Sequence, residues 1–173
     1  MKKSLLIIAG YALFSAAAVA MDFYVEDNTL VPIPSDAEAK IRQTESNFKE
    51  AQKCKFAGKP VDLDGDGRAE DFIVTTRGTC LWAAAAGPIW VLKKTGTSYS
   101  LVLAFTSSSL ELSKRATNGL RDITISRGSA GYAEVVVWSY DGKQYQKTAS
   151  HFFDATNPDA CKANPDICPF AVD

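Results

Sequence analysis

The sequence is poor in the side chains that most often carry catalysis. It contains one histidine, His151, and no Gly-x-Ser-x-Gly segment of the kind that presents the nucleophile of many serine hydrolases. Its four cysteines are an even number, and oxidation in an exported chain would leave no thiol nucleophile. A site built from His151 and Asp154, or from a pair of carboxylates, stays open as an alternative. The sequence therefore predicts a protein that is not an enzyme.

Positive charge is not in excess either. Lysine and arginine together number 19, against 20 aspartate and glutamate residues, so the formal net charge is -1. Contacts between basic side chains and phosphate dominate the binding of nucleic acids. The sequence has no basic stripe interleaved with aromatic residues that could make such contacts. We therefore expect no nucleic acid partner.

A long apolar run occurs at the N-terminus, at residues 5–14, between two lysines and a small-residue cleavage signal at residues 18–20. This order is typical of a secretory signal peptide, and the run is too short to span a bilayer comfortably. We expect residues 1–20 to be removed, which leaves a mature chain that begins at Met21 and has no membrane span. A retained N-terminal anchor is the alternative. The expected location is the periplasm or the exterior.

A mature chain of about 153 residues fits one domain with a sizeable core. We predict a single α+β domain over residues 21–153 and a C-terminal tail over residues 154–173. Four cysteines allow three pairings, of which we favour Cys54–Cys80, across the acidic loop, and Cys161–Cys168, within a tail whose two Asn-Pro steps predict loops. Their spacing does not match that of a structural zinc site.

Residues 35–38, Ser-Asp-Ala-Glu, have the sequence of a capping box, in which Ser35 and Glu38 satisfy the first amides of a helix. Apolar residues at helical spacing then lie on one face. That face comprises Ala37, Ile41, Phe48 and Ala51. The sequence therefore predicts a helix that begins at Ser35 and ends near residues 54–58.

Short alternations of apolar and polar residues, separated by turn signals, predict strands in the remainder. The predicted strands cover residues 71–76, 79–84, 88–93, 99–105, 109–113, 121–127, 132–140 and 143–148. Asp141-Gly142 predicts a type I′ hairpin turn, and Thr95-Gly96 and Asn118-Gly119 are further turn candidates. The predicted fold is α+β, with an N-terminal helix packed on one curved, mainly antiparallel sheet of about six to eight strands.

Acidic residues at fixed spacing mark residues 62–71, with the sequence DLDGDGRAED. Alternate carboxylates on a turning backbone can converge on one hard cation, and calcium prefers a shell made only of oxygen. Gly67 permits the sharp turn, Arg68 is expected to offer its backbone carbonyl while its side chain points away, and Glu70 can bind directly or through water. The predicted site for a structural Ca²⁺ comprises Asp62, Asp64, Asp66, Arg68 and Glu70.

The loop departs from an EF-hand, because Ile73 stands where that motif has its closing glutamate and a strand follows instead of a helix. This order resembles the calcium loops of FG-GAP (integrin α-type) repeats and of related bacterial exported proteins. The resemblance implies that Asp62, Asp64, Asp66 and Glu70 are ligands, with Asp71 as a substitute. The alternative is an Asp-Gly turn held by Asx hydrogen bonds without a metal.

The overall pattern of this loop, short strands and a Trp-x-Tyr-Asp-Gly-x-x-Tyr hairpin resembles small uncharacterised periplasmic proteins of Gram-negative bacteria. That resemblance implies export and no particular activity. We expect a calcium-stabilised, non-catalytic binding module whose partner is a protein of the cell envelope, as for an inhibitor or immunity-type protein. The alternatives are an envelope hydrolase and a small-ligand or glycan binder that uses exposed aromatic residues. The oligomeric state stays open.

Overall fold

The structure, a computed structural model, describes residues 20–47, 49–84, 86–129, 132–154 and residue 159. In this part of the chain, nine strands accompany one α-helix and a short 3₁₀ helix. The strands are β1 (Met21–Tyr24), β2 (Phe56–Val61), β3 (Asp71–Thr76), β4 (Gly87–Thr95), β5 (Ser98–Ser107), β6 (Ser109–Thr117), β7 (Leu120–Ser129), β8 (Tyr132–Tyr140) and β9 (Tyr145–Asp154). The helix α1 spans Ser35–Thr44, and the 3₁₀ helix spans Ala51–Lys53.

The strands form two antiparallel sheets. The five-stranded sheet has the order β1-β6-β7-β8-β9, and the four-stranded sheet has the order β2-β3-β4-β5. The prediction of a mainly antiparallel sheet with one helix is confirmed, but the prediction of one curved sheet is wrong. The chain changes sheets at Ser108, the single residue between β5 and β6. The helix is not N-terminal, because β1 precedes it and pairs with β6.

Three layers result, with the four-stranded sheet in the middle. Alternate residues of a strand point to opposite faces, so β3 sends Ile73 towards the five-stranded sheet and Phe72 and Val74 towards α1. By the same alternation in β4, Val91 faces the five-stranded sheet and Trp90 faces α1. Because both faces of these strands are covered, the centre of β3, residues 72–74, is a continuous apolar run rather than a clean alternation.

The helix begins at Ser35 as predicted, but its N-terminal cap and its end differ from the prediction. Its N-cap residue is Pro34 and no side chain caps it, because Glu38 accepts hydrogen bonds from Arg42 instead. It ends at Thr44, ten residues before the predicted limit. Arg42 donates to backbone carbonyls of the returning chain, at 2.7 Å to Gln52 and 2.9 Å to Cys54, and this holds the turn. Ala37 and Ile41 are buried as predicted, whereas Phe48 lies outside the described residues.

The predicted disulfide Cys54–Cys80 is present, with its Cα atoms 5.9 Å apart. It joins the end of the 3₁₀ helix to the loop after β3. The prediction of a strand at residues 79–84 is wrong, since this segment is a turn and loop. The pair Cys161–Cys168 lies outside the described residues, as do residues 1–19 and nearly all of the predicted tail. Within the described residues, no helix has the length and apolar character needed to cross a membrane.

Candidate metal centre

The acidic loop connects β2 to β3, two neighbouring antiparallel strands of the four-stranded sheet. Gly65 and Gly67 have φ values of 75° and 87°, a region that side chains with a Cβ rarely adopt. A Cβ at either position would meet no atom within 4 Å. The need for glycine therefore comes from the backbone turn and not from lack of space, as the sequence predicted for Gly67.

Asp62 organises the turn through its carboxylate. Oδ1 accepts from the amides of Gly65 at 2.7 Å and Asp66 at 3.2 Å, and Oδ2 accepts from the amide of Gly67 at 2.9 Å. Asp64 Oδ1 accepts a longer bond of 3.3 Å from the same Asp66 amide. These are the Asx-type bonds of the metal-free alternative, and they also direct the carboxylates to the inside of the turn.

Three carboxylates meet inside this turn. One oxygen from each of Asp62, Asp64 and Asp66 lies within 4.8 Å of the other two. Calcium binds oxygen at about 2.3–2.6 Å, so two ligands on opposite sides of one ion are about 5 Å apart. The spacing and the all-oxygen donor set therefore fit a divalent cation.

Arg68 and Glu70 are arranged differently from the prediction. The Arg68 side chain does not point away, because its Nε donates to Asp66 Oδ2 at 2.7 Å, and its guanidinium lies 3.6 Å from Glu70 Oε1. Hydrogen bonds from Arg68 lower the pKa of Asp66 below its ordinary value. The Arg68 carbonyl, the predicted ligand, accepts from the Glu70 amide at 3.0 Å. Glu70 is not in the group of three converging carboxylates.

Asp71, the suggested substitute ligand, has a separate role. It is buried, with Oδ2 accepting from the Leu63 amide at 3.0 Å and Oδ1 accepting from the Lys94 amide at 2.7 Å. Burial raises the pKa of Asp71, while these two backbone bonds oppose the rise. Asp71 thus fastens the acidic loop to the start of β3 and the end of β4.

Leu63 and Arg121 fasten the same loop to the other sheet. Leu63 is fully buried in the core between the sheets, and its carbonyl accepts from the Arg121 amide of β7 at 2.8 Å. The Arg121 side chain is also buried, and it donates to the carbonyls of Ser113 at 2.7 Å and Leu112 at 3.0 Å. Its Nη1 reaches the Asp62 carbonyl at 3.5 Å. The acidic loop is therefore a joint between the two sheets.

Sequence reasoning missed both of these anchors. A leucine between two aspartates of a polar loop was a usable signal for Leu63, because a buried apolar residue there must enter the core. Arg121 had no such signal. It lies far along the chain from the loop, and only the pairing of the sheets brings it there.

The structure does not assemble the histidine site that the sequence left open. His151 and Asp154 are both on β9 and are three residues apart, so the strand alternation places them on opposite faces. His151 is exposed to solvent. Among the aromatic residues, Trp90, Tyr99, Tyr140 and Tyr145 are buried in the core, and Tyr132 is exposed.

Comparison of the chain with protein-family models, with curated proteins and with solved structures finds no match.

Proposed function

We propose that this protein is an exported, calcium-stabilised binding module that recognises a partner protein of the cell envelope and catalyses no reaction. The observation that carries the partner-binding role is the outer edge of β9, with which no other strand of the described residues pairs. Export to the periplasm or beyond is supported by the Cys54–Cys80 disulfide, because such bonds persist in oxidising compartments. The cation has a structural role in this proposal.

Calcium is the ion that best suits the three carboxylates. Magnesium demands a small octahedral shell and keeps several of its waters, whereas calcium accepts a flexible shell of carboxylates and carbonyls. Asp62, Asp64 and Asp66 would hold the ion, with Glu70 added directly or through water. Titration calorimetry with CaCl₂ and MgCl₂ tests this assignment. We expect calcium to bind more tightly than magnesium, at about 10⁻⁴ to 10⁻³ M. Binding of neither ion would contradict it.

The β9 surface consists of the outer edge of β9 with the exposed rings of Tyr132 and Phe152. No strand of the described residues pairs with that edge, which is ten residues long. Tyr132 is 66% exposed and Phe152 is 76% exposed, and the register of β8 with β9 places both rings on one face. Exposed edges of this length are usually blocked, since they present unpaired amides and carbonyls. Two of the other edges are protected, since β1 is short and Val31 pairs with Gly58 of β2. The fourth edge strand, β5, is also ten residues long but carries no pair of exposed aromatic rings.

An extended segment of a partner protein fits this surface. Such a segment adds a strand through main-chain hydrogen bonds, and side-chain pockets then give specificity. The two rings offer the apolar contact that commonly anchors a protein interface. Pairing through β9 would also let a module without catalytic groups inhibit its partner, since binding alone can block the partner's surface.

Affinity capture from envelope extract tests the β9 surface. We expect the wild-type protein to retain a stoichiometric partner that the double variant Tyr132→Ser/Phe152→Ser loses. The matched control is Tyr24→Ser, which removes a ring that is 47% exposed on β1, at the other end of the same sheet. Three results would contradict the proposal: no retained protein, retention that the double variant leaves unchanged, or a homodimer in solution that the double variant dissociates.

The alternative of an envelope hydrolase has a direct test. A panel of hydrolase substrates is screened with the wild-type protein, His151→Ala and Asp66→Asn. Activity that one variant abolishes while its thermal unfolding stays cooperative would replace the binding module with an enzyme.

A further inference from the structure

A second feature lies at the opposite end of β3 from the acidic loop. It is a cleft of about 410 Å³ at the C-terminal end of that strand. This volume falls within the range of about 300–1,000 Å³ that is typical of ligand sites. The cleft lies between the segment after β1 and the loop after β3, and Ala57 of β2 contributes to it. We call it the Trp82 cleft after the aromatic residue in its wall.

The indole of Trp82 is held in place by several constraints. Its Nε1 donates to Thr76 Oγ1 at 3.0 Å, and the same hydroxyl donates to the Cys80 carbonyl at 2.5 Å. Cys80 is itself fixed by its disulfide with Cys54. Gly87 lies under the ring, since a Cβ there would come within 2.8 Å of two indole atoms. The ring is only partly buried, and these contacts set its position.

The backbone around Trp82 is strained. Leu81 has a φ of 64° and Ala84 has a φ of 52°, in the left-handed region that residues with a Cβ seldom occupy. Such conformations cost free energy and persist where the surrounding structure enforces them, and they cluster at binding sites. Ala84 follows Ala83, which exchanges both backbone hydrogen bonds with Ala86, and such a tight turn itself requires a positive φ. Leu81 lies outside this turn and directly precedes Trp82, so its strained conformation helps to set the position of the indole.

The polar groups of the Trp82 cleft suit a neutral ligand rich in hydroxyls. Arg77 makes one long bond of 3.4 Å to the Leu30 carbonyl, so its guanidinium keeps donors for a ligand. Asp27 receives both bonds from Thr29 on a single oxygen, Oδ1. Glu26 and Asn28 add an exposed carboxylate and an exposed amide. Acids exceed bases by one in this lining, which disfavours an anion, and the guanidinium disfavours a compact cation.

We propose that the Trp82 cleft binds a neutral sugar ring, with the indole of Trp82 against the ring's C–H face and Arg77 and Asp27 hydrogen-bonded to its hydroxyls. A pyranose presents weakly positive C–H groups on one face, which complement the negative face of an indole. Its hydroxyls both donate and accept, so they pair with a guanidinium on one side and a carboxylate on the other. This site is separate from the β9 surface, and it stands whether or not that surface binds a protein.

The test uses the purified protein with its disulfide intact. Cellotriose, maltotriose and chitotriose are titrated by calorimetry, with the zwitterionic dipeptide glycylglycine as a probe of another ligand class. We expect at least one trisaccharide to bind, and Trp82→Ala to weaken it by about tenfold. Trp82→Phe retains a ring and should lose less. Trp138→Phe, in the five-stranded sheet, is the matched control and should bind as the wild type does.

Arg77→Gln provides a variant that does not depend on the packing of the indole. Its side chain is exposed, so we expect unchanged thermal unfolding together with weaker trisaccharide binding. The proposal is overturned if the wild type binds none of the three trisaccharides, if it binds only the dipeptide, or if Arg77→Gln and Trp82→Ala both bind a trisaccharide as tightly as the wild type.

Discussion

Asp62 and Asp71 belong to the same hairpin but have different structural roles, because their surroundings differ. The Asp62 carboxylate accepts hydrogen bonds from three amides of its own loop and lies close to two other carboxylates. Asp71 is buried, and its carboxylate accepts one hydrogen bond from an amide of the loop and one from an amide of β4. The spacing of the sequence predicted the first environment. It could not predict the second, because the burial of Asp71 depends on the packing of β4.

Arg68 should limit the affinity of the acidic loop for calcium. Its guanidinium binds Asp66 Oδ2, so a cation must compete with it for that oxygen. We expect Arg68→Ala to raise calcium affinity by up to about fivefold, the range that an exposed ion pair can contribute. Calorimetric titration measures the change. Arg127→Ala on β7 is the control and should leave the affinity unchanged; weaker binding by Arg68→Ala would show that the guanidinium helps to shape the site.

At the scale of elements, the turns show what local sequence does and does not predict. Asn118 and Gly119 both have positive φ, at 51° and 85°, and they form the two-residue turn between β6 and β7, as a type I′ turn requires. The prediction of a type I′ turn was made for Asp141-Gly142, and there it is wrong. There β8 and β9 are paired from Tyr140 and Tyr145, so the turn holds four residues, and only Gly142 has positive φ.

Asp141 should make the β8–β9 hairpin sensitive to acid. Hydrogen bonds from the backbone amides of Gln144 and Lys143 lower the pKa of Asp141 below its ordinary value. A lowered pKa in the folded state contributes stability that is fully present above the unfolded pKa and is lost as the pH falls through the folded value. Asp141→Asn keeps an acceptor and cannot ionise. The difference in unfolding free energy between wild type and this variant should shrink below about pH 4; a difference independent of pH would contradict this.

Gly58 in β2 should tolerate no side chain. A Cβ there would lie 2.7 Å from the Ile73 carbonyl oxygen and 3.0 Å from the Ile33 side chain. The carbonyl belongs to the neighbouring strand and cannot move without breaking the pairing. We expect Gly58→Ala to destabilise the fold by about 1–3 kcal/mol in chemical denaturation. Gly128→Ala is the control, since its nearest contact would be an ordinary 3.5 Å, and equal losses in both variants would refute the steric reason.

At the scale of the molecule, one core lies between two sheets and a second core lies under the helix. Short apolar or alternating runs between turn signals predicted most of the strands, including β3 and β8 with their observed bounds. The division into two sheets was beyond that pattern, because Phe72, Ile73 and Val74 are all apolar and face two different layers. β2 is not among the predicted strands, and the predicted helix end at residues 54–58 overlaps its first three residues.

The acidic loop is connected to both sheets and to the core between them. Asp71 fastens it to the four-stranded sheet, Arg121 fastens it to the five-stranded sheet, and Leu63 fills the core between them. A cation held by the three neighbouring carboxylates would therefore stabilise the joint, and not only a surface loop. Binding to the folded state alone contributes about 2.7 kcal/mol when the free ion is a hundredfold above its dissociation constant.

Thermal unfolding in EDTA and in excess CaCl₂, for the wild type and for Asp64→Asn, tests this claim most directly. Asparagine keeps the acceptor that binds the Asp66 amide, so the turn is preserved while one ligand charge is lost. We predict that calcium raises the Tm of the wild type by about 5–10 °C and leaves that of Asp64→Asn nearly unchanged. A wild-type Tm that does not respond to calcium, or an equal rise in both proteins, would contradict a cation at this joint.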